Sequence, residues 1–392
     1  MDLRRGFWVA VGLACIGLAG CATQPVETAL ADAVWQDDVF GYRAARVVEG
    51  REAVFGLDEA LRQSLASQEG DSGSTEGRID RLVSRLYGPT GIRLSYGSGH
   101  TTGASQTWIN QRGDCLSLTI LAYAAAKHLG LPARMQEVRV PVLVDRRGGM
   151  DYVNEHVNLH IRADTEILLN GQVFSSGGFV IDFEPQPGAR NTGRWLSENA
   201  ILARYYNNRA TEYLAQDDRD SAYAYFRAAI RLAPDYAPLY TNLAHLYARH
   251  GLAGPAEQLL HHAIALGGPS YAPLRGMAQL LQAQGRVAEA QRYADLLAKR
   301  QDEDPYHWLG LGLGALRDGR HAAAISALEK ASALTTGFEE IHYHLGLAYW
   351  RSGQVEAARK QLAALSAINN RDPGIAVLSK KLQNNAPQSA FF

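Results

Sequence analysis

The C-terminal half of the chain repeats itself with a fixed period. Residues of similar size return every 34 positions from about residue 203, and five units keep this register without an insertion. The fourth position of each unit is occupied by Tyr206, Tyr240, Leu274, Trp308 and His342. The eighth position holds only small residues, which are Ala210, Ala244, Ala278, Gly312 and Gly346. Such a period restricts this half of the chain to a stack of small, similar units.

The residue types within each unit predict two antiparallel helices. Small side chains at the eighth and twentieth positions let the helices approach closely, and large ones at the fourth and eleventh positions fill the space between them. The fifteenth position, where the chain must turn, carries Asp217, Gly251, Gly285, Gly319 and Gly353. Glycine accepts backbone conformations that other residues avoid, so each unit is predicted to be a helical hairpin.

The repeated pattern resembles the tetratricopeptide repeat family over residues 203–372, including Pro234 at the end of the first unit. This resemblance implies an all-α solenoid whose repeats bind a protein or peptide partner. An amphipathic stretch opened by Asp372-Pro373 predicts a capping helix over residues 373–384. Residues 385–392 are expected to form a loose tail.

The resemblance also implies which positions line the concave face of the solenoid. In the fourth and fifth units several of these positions are apolar, where a solvated surface is normal. The candidate partner groove consists of Tyr306, Leu309, Leu313, Tyr343, Leu347 and Trp350. Two interpretations of these apolar residues stay open. They form either an exposed peptide groove or a stripe that is covered by the capping helix, the tail or the N-terminal domain.

The N-terminus has the pattern of a bacterial export signal. Two arginines, Arg4-Arg5, precede an apolar run over residues 7–20, which is shorter than the roughly 20 residues of a membrane-spanning helix. The run ends in Leu18-Ala19-Gly20-Cys21, which resembles the lipobox of bacterial lipoproteins. The resemblance implies a signal peptide over residues 1–20 and a lipid anchor on Cys21, in the outer membrane and facing the periplasm. The alternative is a buried N-terminal helix in a cytosolic protein.

The composition excludes some classes of function. Of the 392 residues, 46% are hydrophobic, which is ordinary for a globular chain of several domains. The 39 Lys and Arg residues against 40 Asp and Glu residues leave a net charge of −1, so a nucleic-acid partner is not expected. No metal and no cofactor is expected either. Removal of Cys15 and acylation of Cys21 would leave Cys115 as the only thiol, which excludes an internal disulfide.

Cys115 lies where the sequence predicts the start of a helix. An Ala- and Leu-rich stretch follows over residues 116–130, ending at Gly130 with Pro132 just beyond. The unpaired amides and the dipole of a helix N-terminus stabilise a thiolate, so Cys115 is a candidate nucleophile. Gly113 is expected to let the chain turn tightly and to leave the sulfur accessible.

Other elements of the N-terminal half are predicted from hydrophobic periodicity. Residues 21–38 are expected to form a tether, residues 57–67 and 77–87 amphipathic helices, residues 135–144, 156–161 and 179–183 strands, and residues 146–149 a polar loop. His156 opens the second of these strands and Asp182 ends the third. In a Cys-His-Asp arrangement, the His deprotonates the thiol and the Asp fixes the imidazole.

Together these residues resemble the transglutaminase-like superfamily over about residues 80–185. Gly113-Asp114-Cys115 is similar to the start of that superfamily's Cys helix, His156 to its strand-opening His, and Asp182 to its triad acid. The resemblance implies an α+β domain over residues 39–190 that hydrolyses amide bonds with papain-like geometry. Cys115, His156 and Asp182 would be its catalytic residues.

Two departures from the superfamily bear on the reaction. Asn158 occupies the position, two residues after the His, where an aromatic residue is usual. Leu116 follows the Cys, whereas animal cross-linking enzymes have a Trp there. These departures favour hydrolysis over cross-linking.

Several alternatives stay open for this site. His160 shares a strand face with His156 and is the alternative base. Gln111 is a candidate for orienting a carbonyl oxygen, or an ordinary surface residue. A zinc site formed by Cys115, His156, His160 and Asp182 is disfavoured because paired Cys ligands are absent from the sequence. The rival functional class is an inactive domain kept as a binding module, with the repeats as a scaffold for envelope protein assembly.

Overall fold

The computed structural model of the protein covers the repeat region and much of the N-terminal half. It describes residues 32–66, 74–87, 94–96, 100–138, 144–147, 150–153, 156–162, 167–169, 172–174, 178–183, 193–268, 270–335, 338–370 and 372–383. The predicted signal peptide over residues 1–20, Cys21 and the tail over residues 385–392 lie outside the described residues.

The N-terminal half combines short helices with short strands. Its helices are two 3₁₀ turns (Asp32–Val34 and Ala44–Arg46), α1 (Arg51–Phe55), α2 (Glu59–Ala66), α3 (Thr75–Tyr87), α4 (Ala104–Asn110) and α5 (Cys115–His128). Its strands are β1 (Ser95–Tyr96), β2 (Arg112–Gly113), β3 (Ala133–Val138), β4 (Val144–Arg147), β5 (Met150–Val153), β6 (His156–Ile161), β7 (Ile167–Leu169), β8 (Gln172–Phe174), β9 (Phe179–Ile181) and β10 (Trp195–Leu196). The predicted helices before residue 88, the helix after Cys115 and the strand at residues 156–161 are confirmed.

A small antiparallel sheet supports the candidate site. Its strand order is β10-β3-β6-β9, with Met135 paired to Leu159 and Leu159 paired to Ile181. These residues belong to the same hydrophobic core as side chains of α5. Because side chains alternate along a strand, His156 and Asn158 lie on the face opposite Leu159.

The structure corrects the strand pattern after α5. Strand β3 ends at Val138, earlier than the predicted end at residue 144. Residues 146–147, predicted as part of a polar loop, belong to β4, which pairs with β5 in an antiparallel hairpin. The loop prediction was therefore wrong for residues 146 and 147.

Five helical hairpins follow from residue 198, as the 34-residue period predicts. Their helices are α6 (Glu198–Ala215), α7 (Arg219–Leu232), α8 (Ala237–Arg249), α9 (Ala253–Leu266), α10 (Ala272–Ala283), α11 (Val287–Asp302), α12 (Pro305–Arg317), α13 (His321–Leu334), α14 (Glu339–Arg351) and α15 (Val355–Ile368). The predicted capping helix is α16 (Pro373–Gln383). It packs against α14 and α15, which confirms the cap.

The turn residue of every hairpin has a left-handed backbone. The φ angles are 63° at Asp217, 75° at Gly251 and Gly285, 72° at Gly319 and 78° at Gly353. Residues with a Cβ rarely adopt such angles, and Asp is among those that tolerate them best. The residue types at the fifteenth position are therefore explained by the turn itself.

Two glycines of the fourth repeat should respond to alanine with opposite signs. Gly319→Ala is expected to lower the free energy of unfolding by about 1–2 kcal/mol, because φ is 72° there. Gly314→Ala is expected to raise it by about 0.5–1 kcal/mol, because Gly314 lies inside α12 with open space where a Cβ would stand. Urea unfolding midpoints of both variants measure this, and changes of equal sign would contradict it.

Residues 32–38, which belong to the predicted tether, pack against the first two repeats. Val34 is fully buried, and its carbonyl accepts a hydrogen bond from the hydroxyl of Tyr247 at 3.0 Å. Phe40 is fully buried as well, with its ring centroid 4.7 Å from that of Tyr223 and 5.6 Å from that of Tyr247. The tether prediction was therefore wrong for this part of the segment.

Polar contacts extend this docking along the segment. The hydroxyl of Tyr223 donates to Asp37 at 2.6 Å, and the guanidinium of Arg227 lies 4.0 Å from the ring centroid of Trp35. Further along, the backbone carbonyl of Glu49 accepts from the hydroxyl of Tyr206 at 2.7 Å. The segment thus follows the repeats from residue 34 to residue 49 before the N-terminal domain begins.

The hydrophobic core crosses the predicted domain boundary. One core contains side chains of the docked segment, α5, the sheet and the first three repeats, including Phe40, Leu121, Leu159 and Leu243. A second core joins the fourth and fifth repeats to the cap. Residues 190–203 therefore do not divide the chain into two separately packed units, and the division between the cores lies between α11 and α12.

Candidate functional site

Cys115 is the first residue of α5, as the sequence predicts. Asp114 caps the helix, because its Oδ1 accepts a hydrogen bond from the backbone N–H of Ser117 at 2.7 Å. The other carboxylate oxygen of Asp114 accepts from the hydroxyl of Thr101 at 2.6 Å. Cys115 is half-buried and carries a thiol instead of a disulfide. The sulfur thus belongs to the first turn of a well-capped helix, where the helix dipole favours a thiolate.

Gly113 has a different role from the predicted tight turn. It lies in the extended strand β2, and a Cβ at this position would come within 2.8 Å of Ser117 Cβ and 3.2 Å of Thr107 Cγ2. Glycine is required here because α4 and α5 approach the strand closely. The left-handed residue of this stretch is Gln111, with φ at 52°.

The start of α5 and the start of β6 lie at the same end of the domain. The hydroxyl of Thr119 donates to the carbonyl of Val157 at 3.2 Å, near the beginning of both elements. At the other end, the N–H of Arg162 donates to the carbonyl of Pro132 at 3.1 Å. Cys115 precedes Thr119 by one helical turn, about 6 Å along the axis. The helix and strand therefore run in the same direction, which places Cys115 and His156 at one end.

His156 and Asp182 are in direct contact. The Nε2 atom of His156 lies 2.8 Å from both carboxylate oxygens of Asp182. The sheet explains this contact, because the register that pairs Leu159 with Ile181 directs Asp182, the residue just after β9, toward Asn158 and the start of β6. His156 is 3% exposed, so its ring has little freedom beside the carboxylate. The pair can hold one imidazole tautomer and stabilise an imidazolium.

His160, the alternative base, has different surroundings. Its ring meets the ring of Trp195 edge-on at 5.0 Å, and the guanidinium of Arg134 covers the same indole at 4.6 Å. Burial lowers the pKa of His160, and its Nε2 has no hydrogen-bond partner within the described ranges. Four residues of strand, about 13 Å, separate it from His156. The structure therefore places Asp182 with His156 and leaves His160 in a separate aromatic cluster.

Gln111, the candidate for orienting a carbonyl oxygen, is exposed at the end of α4. Its backbone carbonyl accepts from the N–H of Ser95 at 3.0 Å, which ties this residue to β1. The backbone contact fixes its position before Cys115. Its role toward a substrate stays a prediction.

Sequence reasoning assigned no role to Gln136 and Tyr87, which contact the elements that carry His156 and Asp182. Asn158 and Gln136 face each other across β6 and β3, and they are 0% and 4% exposed. Tyr87, the last residue of α3, stacks on Phe183 at 5.5 Å between ring centroids. Burial and the nearby charge of Asp182 raise the pKa of Tyr87, so its hydroxyl stays protonated at neutral pH. Strand alternation places Asn158 on the same face as His156, whereas the stack of Tyr87 has no local sequence signal.

The predicted apolar groove of the fourth and fifth repeats is largely part of the core. Tyr306 and Leu309 are 6% and 0% exposed, so they do not line an open surface. The ammonium of Lys381, on α16, lies 4.6 Å from the ring centroid of Trp350. Tyr343 packs so closely on α16 that a Cβ at Gly374 would be 2.6 Å from its ring. Leu313 and Leu347 are half-buried. The structure thus favours the covered stripe over the exposed peptide groove.

The first three repeats instead enclose a pocket of about 340 Å³. It lies between α6, α8 and α10, and its lining mixes short apolar side chains with polar ones. Its residues are Thr211, Leu214, Thr241, Asn242, Ala244, His245, Ala248, Arg249, Leu260, Ala272, Gly276, Gln279, Leu280 and Ala283. Several of these are polar positions that the repeat pattern assigns to the concave face.

The described residues contain neither a candidate metal site nor a candidate membrane-spanning helix. No group of three or more His, Cys, Asp and Glu side chains in those ranges could hold a metal ion. No helix of the described part of the chain is long and apolar enough to cross a membrane.

Comparison with known proteins gives one curated relative of partial length. The cytochrome c-type biogenesis protein CycH of Rhizobium meliloti (strain 1021) is 34% identical over 104 residues, which are 26% of this chain. The aligned part is 27% of CycH, so the chain spans about a quarter of the length of this relative.

Solved structures with local similarity include several repeat proteins. The APC/C hetero-tetramer Cut9-Hcn1 has 19% identity and a TM-score of 0.25, covering 47% of this chain and 38% of its own. YrrB, a TPR protein with an unusual peptide-binding site, has 17% identity and a TM-score of 0.24, covering 45% and 92%. Pseudomonas aeruginosa pilF has 16% identity and a TM-score of 0.26, covering 49% and 96%.

The sequence of the C-terminal region identifies its repeats directly. The tetratricopeptide repeat family matches residues 203–236, 275–337 and 315–382. These matches fall on the helical hairpins α6–α7 and α10–α15 with the cap α16, at the spacing that the 34-residue period predicts. The C-terminal region of this chain is therefore built of tetratricopeptide repeats.

Proposed function

We propose that the chain is a cysteine-dependent amide hydrolase whose repeats hold a protein or peptide partner. The observation that carries the proposal is the contact of His156 Nε2 with Asp182 at 2.8 Å, at the end of the strand where the Cys115 helix begins. A nucleophile at a capped helix start and a carboxylate-oriented imidazole are the parts that thiol catalysis needs. The transglutaminase-like resemblance of these residues supports the same assignment.

The proposed reaction follows from the direction of the His156 ring. Nε2 faces Asp182, so Nδ1 is the nitrogen that accepts the thiol proton of Cys115. The sulfur then bonds to the amide carbon, the carbon–nitrogen bond breaks, and the amine leaves with the proton from His156. Water hydrolyses the resulting thioester, with His156 taking one proton from the water and the thiol re-forming. Asp182 stabilises the imidazolium in both halves of the reaction.

A non-catalytic assembly role is the second candidate function. The likeness to CycH, a cytochrome c-type biogenesis protein, favours it, because this relative is named for an assembly process. In that case the pocket between α6, α8 and α10 would bind a partner, and the His156–Asp182 contact would serve the fold. The two functions differ in what Cys115 must do.

We also propose that acylated Cys21 anchors the chain to the periplasmic face of the outer membrane. The lipobox-like Leu18-Ala19-Gly20-Cys21 supports the anchor. Only about ten residues separate Cys21 from the docked residue Val34, so the first repeats would stay within about 40 Å of the bilayer. Membrane fractionation of the wild type and Cys21→Ala tests this, and equal retention of both in the membrane fraction would refute it.

The pH dependence of Cys115 alkylation tests the hydrolase proposal. We expect the full chain with Cys15 and Cys21 replaced by serine to react with iodoacetamide well below pH 8.5, the pKa of an ordinary thiol. The reason is that the α5 N-terminus and the imidazolium of His156 stabilise the thiolate. An apparent pKa at or above 8.5 would refute catalysis and leave the assembly role.

A further inference from the structure

A chain of hydrogen bonds connects the first repeat to the start of α5. Asn208, on α6, donates from its side-chain amide to the hydroxyl of Thr101 at 3.1 Å. The same hydroxyl donates to Asp114 Oδ2 at 2.6 Å, and Asp114 Oδ1 caps α5 through the N–H of Ser117. Cys115 is the next residue after Asp114. Three side chains therefore join a repeat helix to the residue beside the sulfur.

The direction of each hydrogen bond in this chain is determined. An amide nitrogen of Asn208 can only donate, so the oxygen of Thr101 must accept from it. The single proton of the Thr101 hydroxyl is then directed to Asp114, whose carboxylate can only accept. Because Thr101 is 2% exposed, water does not substitute for these partners.

The backbone of Thr101 is held by the same helix of the first repeat. Glu212 Oε1 accepts from the N–H of Thr101 at 2.7 Å, and Glu212 Oε2 lies 2.8 Å from Nδ1 of His100. Arg209 pairs with Glu212 and orients its carboxylate. The loop that presents the Thr101 hydroxyl is therefore fixed by α6 at both its backbone and its side chain.

We infer that Asn208 of the first repeat is a positioning residue for the Cys115 nucleophile, an inference that rests on the proposed function. The hydroxyl of Thr101 draws charge from the carboxylate of Asp114, the residue that caps α5 and directly precedes Cys115. Without that bond, either the full negative charge of Asp114 faces Cys115 or the cap rotates away from α5. Both changes raise the pKa of the thiol. The repeats thus contribute to the reactivity of the cysteine from outside its own domain.

The test is the pH profile of Cys115 alkylation by iodoacetamide in the full chain with Cys15 and Cys21 replaced by serine. Asn208→Asp is nearly isosteric but presents an acceptor to Thr101, so the hydroxyl proton is drawn away from Asp114. We expect the apparent pKa of alkylation to rise by about one unit, the size that one charge-assisted hydrogen bond supports, so that alkylation is about tenfold slower at pH values below the parent protein's apparent pKa. Circular dichroism and the thermal midpoint report whether the fold is kept.

Asn207→Asp is the matched control. It adds the same charge one residue earlier on α6, where Asn207 Oδ1 accepts from Asn242 at 2.9 Å and a carboxylate can do the same. We expect its alkylation profile to follow that of the parent protein. Equal profiles for Asn208→Asp and Asn207→Asp would overturn the inference, since a general charge effect or a purely structural role would then explain both.

A second pair of variants keeps the inference testable if Asn208→Asp fails to fold. Thr101→Val removes the hydroxyl without changing charge and should raise the apparent pKa of alkylation, whereas Thr101→Ser keeps the hydroxyl and should keep the value of the parent protein. Identical profiles for these two variants would overturn the inference. An apparent pKa of at least 8.5 in the parent protein would instead refute the proposed function, so the two failures are distinguishable.

Discussion

His156→Ala is expected to lower the thiolate fraction of Cys115 about 300-fold at pH 6, as read from the pH profile of its alkylation. A thiol paired with a histidine has a pKa of about 3–4, so at pH 6 it is almost entirely thiolate. Without the imidazole the pKa should return toward 8.5, and at pH 6 only about 0.3% of an ordinary thiol is ionised. The measurement is the rate of iodoacetamide alkylation from pH 4 to pH 9 in the chain whose only thiol is Cys115.

His160→Ala is the control for this prediction. Burial lowers the pKa of His160, which disfavours its charged form, and its ring packs edge-on against Trp195. Asp182→Asn should lie between the two, because the amide removes the charge that stabilises the imidazolium at Nε2. A larger loss with His160→Ala than with His156→Ala would show that the base is misassigned.

The repeats were predictable because their structure depends on local pattern. Each hairpin requires small residues, such as Ala210 and Ala244, and a left-handed turn, as at Gly251 and Gly319. The sequence therefore shows these residues at a fixed spacing. The start of α5 was predictable for the same reason, since Asp114 caps the helix from three residues before Ser117. Signals of this kind lie within one or two turns of chain.

The contacts that the sequence did not reveal join distant parts of the chain. Asn208 meets Thr101 across 107 positions, and Phe40 meets Tyr223 across a still longer stretch. A relevant signal was nevertheless present, because buried tyrosine hydroxyls need partners and Tyr223, Tyr225 and Tyr247 cluster in the first two units. Their partners could only be found in three dimensions.

The groove prediction was limited because it used only the position of each residue within its repeat. Repeat position alone assigned Tyr306 and Leu309 to a concave surface, but helix packing in the fourth repeat and the cap α16 bury this face. Position within a repeat gives the direction of a side chain relative to its own hairpin. It does not show whether another element of the fold buries that side chain. The argument therefore failed in the terminal repeats, where the cap α16 packs.

Phe40→Ala is expected to lower the free energy of unfolding by about 3–5 kcal/mol, the usual cost of removing a buried Phe side chain. Phe40 is 0% exposed and stacks on Tyr223 and Tyr247 in the core shared by the docked segment and the first repeats. Urea unfolding followed by far-UV circular dichroism measures the change.

The preceding residue provides the control for this variant. Val39 is 48% exposed, so Val39→Ala should change the free energy of unfolding by less than about 0.5 kcal/mol. The same docking predicts that residues 200–385 expressed alone are less stable than the full chain, because the aromatic face of Tyr223 and Tyr247 is then uncovered. If Phe40→Ala and Val39→Ala have equal, small effects, residues 32–49 are a loose tether after all and the first repeats are stable without them.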